Sequence, residues 1–273
     1  MTDGGTASPA AAGPGAPWAV EVDGRPVGTA ELTVAALSGD GHYTAMQVRG
    51  ARVRGLAAHL GRTAAAHEEV FGRPLPDDLL LDPVRRLGAR HPDCSLRVTF
   101  LRVDDDVMTV VVVRPPIEAS REPQRLTAVD YVRPLAHLKH LGTFGQHHHA
   151  RAARARGADD ALFVDAEGHV LETSIANLGL VEGAHVVWPE GDTLPGITRT
   201  LLEQALPGIG VGSSRRRVRL DDLARYDAAF VANSIGVVPV ATVDDVALDP
   251  AHRTLAAVVA TYHALPWDAV PHG

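Results

Sequence analysis

The sequence predicts a mixed α and β chain built in two parts. Three observations carry this. A hairpin of two alternating strands, Ser95 to Arg102 and Val107 to Arg114, is joined by the acidic turn Asp104-Asp105-Asp106. Apolar residues at helical spacing run from Leu56 and Leu60 to about Val70. After residue 160 a series of short apolar strands is broken by Gly- and Asp-rich turns.

Taken in order, residues 1–17 are rich in Gly, Ala and Pro and are expected to be a disordered tail. A small α+β domain is expected over 18–133. Trp18 to Val22 reads as a strand ending at Asp23-Gly24, and Tyr43 to Arg49 alternates as a second. The helix from Leu56 follows, then another over Pro76 to Leu87. The hairpin and a strand over Arg125 to Val132 complete this part. Residues 134–142 read as a connector. A larger α/β domain over 143–273 begins with a helix from Phe144 to Arg156, stopped by Gly157. Strands are expected at Ala161–Val164, His169–Glu172, Asn177–Val181 and His185–Trp188. Pro195-Gly196 leads into a helix over Ile197–Ala205. Strands at Ala228–Ala232 and Val237–Val243 and a helix over His252–His263 close the chain.

Composition narrows the function. The formal net charge is −7, and the one dense basic run, Arg215 to Arg219 interrupted by Val218, reads as a solvated strand or loop. No basic stripe offers a footprint for nucleic acid. No apolar run approaches the ~18 residues of a membrane helix, and no secretory signal is seen. The single cysteine, Cys94, rules out an intrachain disulfide and fits a cytoplasmic setting. His147, His148 and His149 are adjacent on a predicted helix and point in three directions, so no metal site is expected.

Lys139 is the only lysine. Arginine replaces lysine on a solvated surface, but its guanidinium never becomes a neutral amine. A lysine retained once, in Leu138-Lys139-His140-Leu141, suggests Schiff-base chemistry. On composition alone a stray surface lysine is an equal alternative. Glu172 follows 33 residues later at a strand end, where a carboxylate can support the pyridine nitrogen of a cofactor. Leu194-Pro195-Gly196-Ile197-Thr198-Arg199 opens a helix whose free N–H groups could cradle a phosphate. His59 and Arg62 share a helical face, and Arg62 could reach the same anion. Arg133, beside the connector, could bind a substrate carboxylate, with a plain salt bridge or a solvated arginine as equal alternatives.

Together and in order these segments resemble the class IV aminotransferases, the fold-type IV pyridoxal-phosphate enzymes. The resemblance covers about residues 39–245. It also rests on Gly39-Asp40-Gly41-His42-Tyr43-Thr44, Gly157-Ala158-Asp159-Asp160-Ala161-Leu162, Gly168-His169-Val170-Leu171-Glu172, Asn177-Leu178-Gly179-Leu180-Val181 and Gly236-Val237-Val238-Pro239-Val240. It implies a two-domain fold like that of D-amino-acid aminotransferases, pyridoxal 5'-phosphate as cofactor, and a homodimer acting on an amino acid and a 2-keto acid. It implies that Lys139 carries the cofactor and shuttles the α-proton, and that Glu172 faces the pyridine nitrogen. It places Arg62, Ile197, Thr198, Asn233 and Ser234 at the phosphate and Tyr43 on the substrate side. Among the departures, branched-chain enzymes usually carry Asn-Tyr where this chain has Thr143-Phe144, and lyases and D-amino-acid enzymes often carry Asn where it has Gly142. The expected function is an aminotransferase. An aminodeoxychorismate lyase and a non-catalytic cofactor-binding homologue are the alternatives.

Overall fold

In the computed structural model, residues 17–271 are described. The expected tail therefore lies outside them except for Pro17.

Two sheets organise the chain. The first takes β1 (Ala19–Val22), β2 (Arg25–Pro26), β3 (Gly41–Arg49), β4 (Arg52–Val53), β5 (Cys94–Val103) and β6 (Asp106–Arg114). The β5–β6 hairpin turns at Asp104, whose φ is +52°. Along β5, Cys94, Leu96, Val98 and Phe100 face helices α2 (Leu56–Phe71) and α3 (Asp77–Arg90) and join one core with Met46, Leu80, Val84 and Leu87. The period-2 alternation sends the intervening Arg97 and Thr99 to the opposite face. There Arg97 lies over the ring of Tyr43, 3.6 Å from its centroid.

The second sheet contains β7 (Gln124–Asp130), β8 (Asp160–Val164), β9 (Val170–Thr173), β10 (Asn177–Glu182), β11 (His185–Pro189), β12 (Gly212–Arg216), β13 (Ala228–Ala232), β14 (Val237–Val243) and β15 (Val246–Ala247). Its order runs β12-β11-β10-β13-β14-β7-β8-β9, and β9 pairs back onto β10, closing a barrel. Leu126, Leu162, Leu178, Leu180, Val231 and Val240 pack in one cluster of this barrel. Val181, Trp188 and Phe230 pack instead beneath α5 (Ile197–Ala205) and α6 (Arg253–Ala264). Helix α4 (Phe144–Ala155) covers Phe163 and Leu171 through Ala153.

Most expected elements appear within a residue or two of their predicted limits. The strand from Arg125 stops at Asp130 rather than Val132. Part of the basic run forms β12, which ends at Arg216. Helix α1 (Thr29–Leu37) was not expected, and it buries no residue, so it leaves no amphipathic signature. Two segments cross the division expected at Arg133: β7 hydrogen-bonds within the barrel sheet, and the C-terminal β16 (Asp268–Ala269) joins the edge of the first sheet through β4. Among the described residues no helix is long and apolar enough to cross a membrane.

Candidate active site

The lysine sits in an irregular segment, 131–143, between the two sheets. Its backbone is nevertheless fixed. The N–H of Tyr43 donates to the Lys139 carbonyl at 2.9 Å, and the N–H of Leu141 donates to the Gly41 carbonyl at 3.1 Å. The connector thus forms an isolated bridge, His42 to His140, onto the start of β3. The same pairing brings the side chains together, with Lys139 Nζ 4.9 Å from the centre of the Tyr43 ring. Burial holds the Lys139 amine below its usual pKa. Arg62 and Arg133 push the same way, while Tyr43 and Glu172 oppose them. Burial pushes the Tyr43 hydroxyl up, but the charges of Lys139 and Arg97 and a hydrogen bond with Lys139 leave it below its ordinary value.

Glu172 is only 4% exposed, which excludes a solvated glutamate at a strand end. Its Oε1 accepts from Arg133 Nε at 3.0 Å. Its Oε2 accepts from the Leu194 N–H at 3.0 Å and from Asn177 Nδ2 at 3.3 Å. Asn177 is its register partner across β9 and β10. Burial is the leading influence and raises the Glu172 pKa, while Arg133 and the Leu194 N–H counter it. An ionised carboxylate offers about four acceptor positions, so these three donors leave room for one more N–H.

Of the readings expected for Arg133, the ion pair is the one present. Its guanidinium lies buried between Glu172 and the connector, donating to the Leu138 carbonyl at 2.8 Å and also to the Ala136 carbonyl. The physical reason is charge: a buried carboxylate is stable only beside a partner. One arginine thus joins the acid to the backbone that carries the lysine.

The phosphate candidates converge on the start of α5. The first N–H groups of a helix have no partner within it, and those of Ile197 and Thr198 belong to this set. Gly196 caps the helix, and a Cβ there would stand 1.9 Å from Asn177 Oδ1, so only glycine lets the helix start come this close to the partner of Glu172. Arg62 reaches across from α2, with Nη1 at 3.4 Å from the Pro195 carbonyl and Nη2 at 3.3 Å from Thr44 Oγ1. Both bonds are long, and three of its five N–H donors remain. Burial brings its pKa down to about 10. Behind it, His59 Nδ1 lies 2.7 Å from Thr44 Oγ1, and burial, with the charges of Arg62 and Lys139, lowers the His59 pKa to about 3. His59 is thus a neutral support.

Thr198 donates its hydroxyl to the Asn233 carbonyl at 2.6 Å, which locks the helix start to the loop after β13. The Asn233 side chain is engaged within that loop: Oδ1 accepts from the Ile235 N–H at 2.8 Å. Ser234 shares a small cavity with His59, Ile197 and Thr198. The sequence expects Lys139, Tyr43, Glu172, Arg62, Ile197, Thr198, Asn233 and Ser234 at one site. The structure links them by contacts: Lys139 lies against Tyr43, Glu172 and Arg62 both bond the backbone just before α5, and Thr198 bonds Asn233. Sequence reasoning missed Thr44, Asn177 and Arg97 as members. Pairing partners across a sheet are not visible in local spacing, though Thr44 and Asn177 stand within the quoted motifs. The adjacent histidines do not converge: His147 and His148 are exposed, while His149 packs on Tyr131 and Phe163.

Comparisons with known proteins agree with this geometry. Residues 41–243 match the family model described as amino-transferase class IV. A probable branched-chain-amino-acid aminotransferase from Rickettsia felis is 29% identical over 85 residues, which is 31% of this chain and 29% of that protein, so the match spans less than a third of the relative's length. A branched-chain aminotransferase from the archaeon Thermoproteus uzoniensis superposes with a TM-score of 0.78 at 21% identity, covering 89% of this chain and 93% of that one. A PLP-bound hypothetical aminotransferase from Mycobacterium tuberculosis gives 0.75 at 22% identity, covering 85% and 90%. A 4-amino-4-deoxychorismate lyase candidate from Legionella pneumophila gives 0.75 at 21%, covering 84% and 92%. At these identities the likeness establishes the fold, the two-sheet arrangement of fold-type IV with one sheet closed into a barrel. With the family model spanning most of the sequence, the chain belongs to the class IV aminotransferases.

Proposed function

We propose that this protein is a pyridoxal-phosphate-dependent aminotransferase that moves an amino group between an amino acid and a 2-keto acid. The observation that supports the reading is the sole lysine itself: its amine pKa is lowered by burial, and it feels the charges of the buried Glu172 and of Arg62, which bonds the Pro195 carbonyl just before α5. The residues fit the cofactor at three points. Lys139 Nζ would hold its aldehyde carbon, the free acceptor position of Glu172 would take the pyridine N–H, and Arg62 with the N–H groups of Ile197 and Thr198 would hold the phosphate. When bound, the cofactor supplies an electron sink for the carbanion formed at the substrate α-carbon.

The protein's own groups do the rest. Burial and the nearby arginines keep a larger fraction of Lys139 neutral than in water, so its Nζ can take up the α-proton and return it. Glu172, whose ionised form the Arg133 ion pair favours, would support the protonated ring nitrogen. Tyr43, its ring capped by Arg97, walls the substrate side of Lys139.

A homodimer in the cytoplasm is part of the same reading. Leu135, Phe144 and Ile175 stand exposed on the connector, at the start of α4 and on the β9–β10 turn, which a second copy would cover. Phe144 is 76% exposed, in the place where branched-chain enzymes present a tyrosine, and it brings no hydroxyl to that place.

The test is the half-reaction. Loaded protein mixed with a panel of L- and D-amino acids should shift the cofactor absorbance to the pyridoxamine form and release the matching keto acid. Pyruvate release from aminodeoxychorismate without amino-group transfer would replace this reading with the lyase. No spectral response to either would favour a non-catalytic homologue.

A further inference from the structure

The connector that carries Lys139 has almost no regular secondary structure, so something must hold the lysine between its anchors. The imidazole of His140, next to the lysine, is placed to do so. Its Nε2 lies 2.8 Å from the Pro134 carbonyl, and the Gly142 N–H lies 3.0 Å from its Nδ1. A carbonyl can only accept and an amide N–H can only donate. The two bonds therefore assign Nε2 as the donor and Nδ1 as the acceptor. One side chain thus closes the segment from Pro134 to Gly142 into a loop with Lys139 inside it.

Gly142 belongs to the same device. A Cβ at this position would lie 3.1 Å from His140 Nδ1 and 3.2 Å from Cε1, tighter than ordinary contact, so a side chain here would push the ring off its two bonds. The chain's departure from the usual asparagine and its histidine beside the lysine are then one feature.

Resting on the reading of Lys139 as the reacting amine, we infer that His140 is a positioning residue, a staple that holds the Lys139 side chain against Tyr43. It makes no contact with substrate in this role. Removing it leaves the bridge to β3 and the Arg133 bonds in place, but frees the turn on both sides of the lysine.

The single lysine gives a readout that does not depend on turnover. Cofactor-free protein is labelled with trinitrobenzenesulfonate across a pH series, and the rate at the Lys139 peptide gives the pKa of its amine. In the native chain this pKa lies below the ordinary ~10.4, because of burial first. In His140→Phe the amine should reach solvent more often. Its pKa should rise toward the ordinary value, with a melting temperature close to that of the native chain. Gly142→Ala should move it in the same direction by less, and the double variant should add little to His140→Phe, since both act on one contact. If His140→Phe does not fold, Gly142→Ala decides alone. An unchanged labelling profile in the deciding variant overturns the staple. Trapping of the cofactor on Lys139 in the native protein tests the aminotransferase reading separately, so either can fail without the other.

Discussion

Replacing Arg133 by alanine should be among the most damaging single changes in the chain. The substitution removes the charge partner of Glu172 at 3.0 Å and withdraws donors from the Leu138 and Ala136 carbonyls. Breaking a buried ion pair costs roughly 3–5 kcal/mol because one charge is left without compensation. For a chain of this size each kcal/mol lowers the melting temperature by about 2–4 °C, so a fall of roughly 6–20 °C is expected. The loss should depend on pH. Burial already raises the Glu172 pKa and Arg133 counters it, so the variant raises it further. A carboxyl whose folded pKa lies above its unfolded value near ~4.3 holds more protons folded than unfolded within that window. Stability then falls as pH rises through the window and is level above it. Urea denaturation at pH 4.5 and pH 7.5 should therefore show the larger gap from the native chain at pH 7.5. Adding Glu172→Gln should recover part of the loss, because the remaining amide needs no counter-charge. A fall no greater than that of exposed Arg151→Ala, or a gap that narrows as pH rises, would refute the reasoning.

Three further outcomes follow from the same geometry. Lys139→Arg should keep the fold by circular dichroism yet lose all amino-transfer, since a guanidinium does not act as a base. Gly196→Ala should cost about 1–3 kcal/mol by overpacking against Asn177, and should weaken cofactor binding measured by absorbance titration. His42 and His59 are both held to about 3 by burial, His42 next by His67 and His59 next by Arg62. Their folded pKa values lie below the unfolded ~6.5, so unfolding takes up a proton at each between these limits and stability falls as pH drops below ~6.5. The slope should approach about 2.7 kcal/mol per pH unit near pH 5 from these two groups, and His59→Asn should roughly halve it.

The elements that face a core were legible because burial imposes a period. β13 and β14 were located to the residue, as was α5, because Ala228–Ala232 is a continuous apolar run, Val237–Val243 is apolar but for Thr242, and Pro195-Gly196 marks a helix start. Helix α1 was not legible, since it buries nothing. Nor was barrel closure, which depends on β7 pairing with β14 and β8 far along the chain. The site divides in the same way. Lys139 stood out by uniqueness, and Glu172, Arg62 and Thr198 through their motifs. The role of Arg133 was hidden: ion pairing was among its expected readings, but only the folded connector brings it beneath Glu172. The bond from Thr198 to Asn233 likewise joins residues 35 apart in sequence.

The central claim is that this chain works through one amine. Protein loaded with pyridoxal phosphate, reduced with borohydride and digested, should carry the cofactor mass on the peptide containing Lys139 and on no other internal peptide. Protein that binds the cofactor with no mass added to that peptide after reduction would contradict the account.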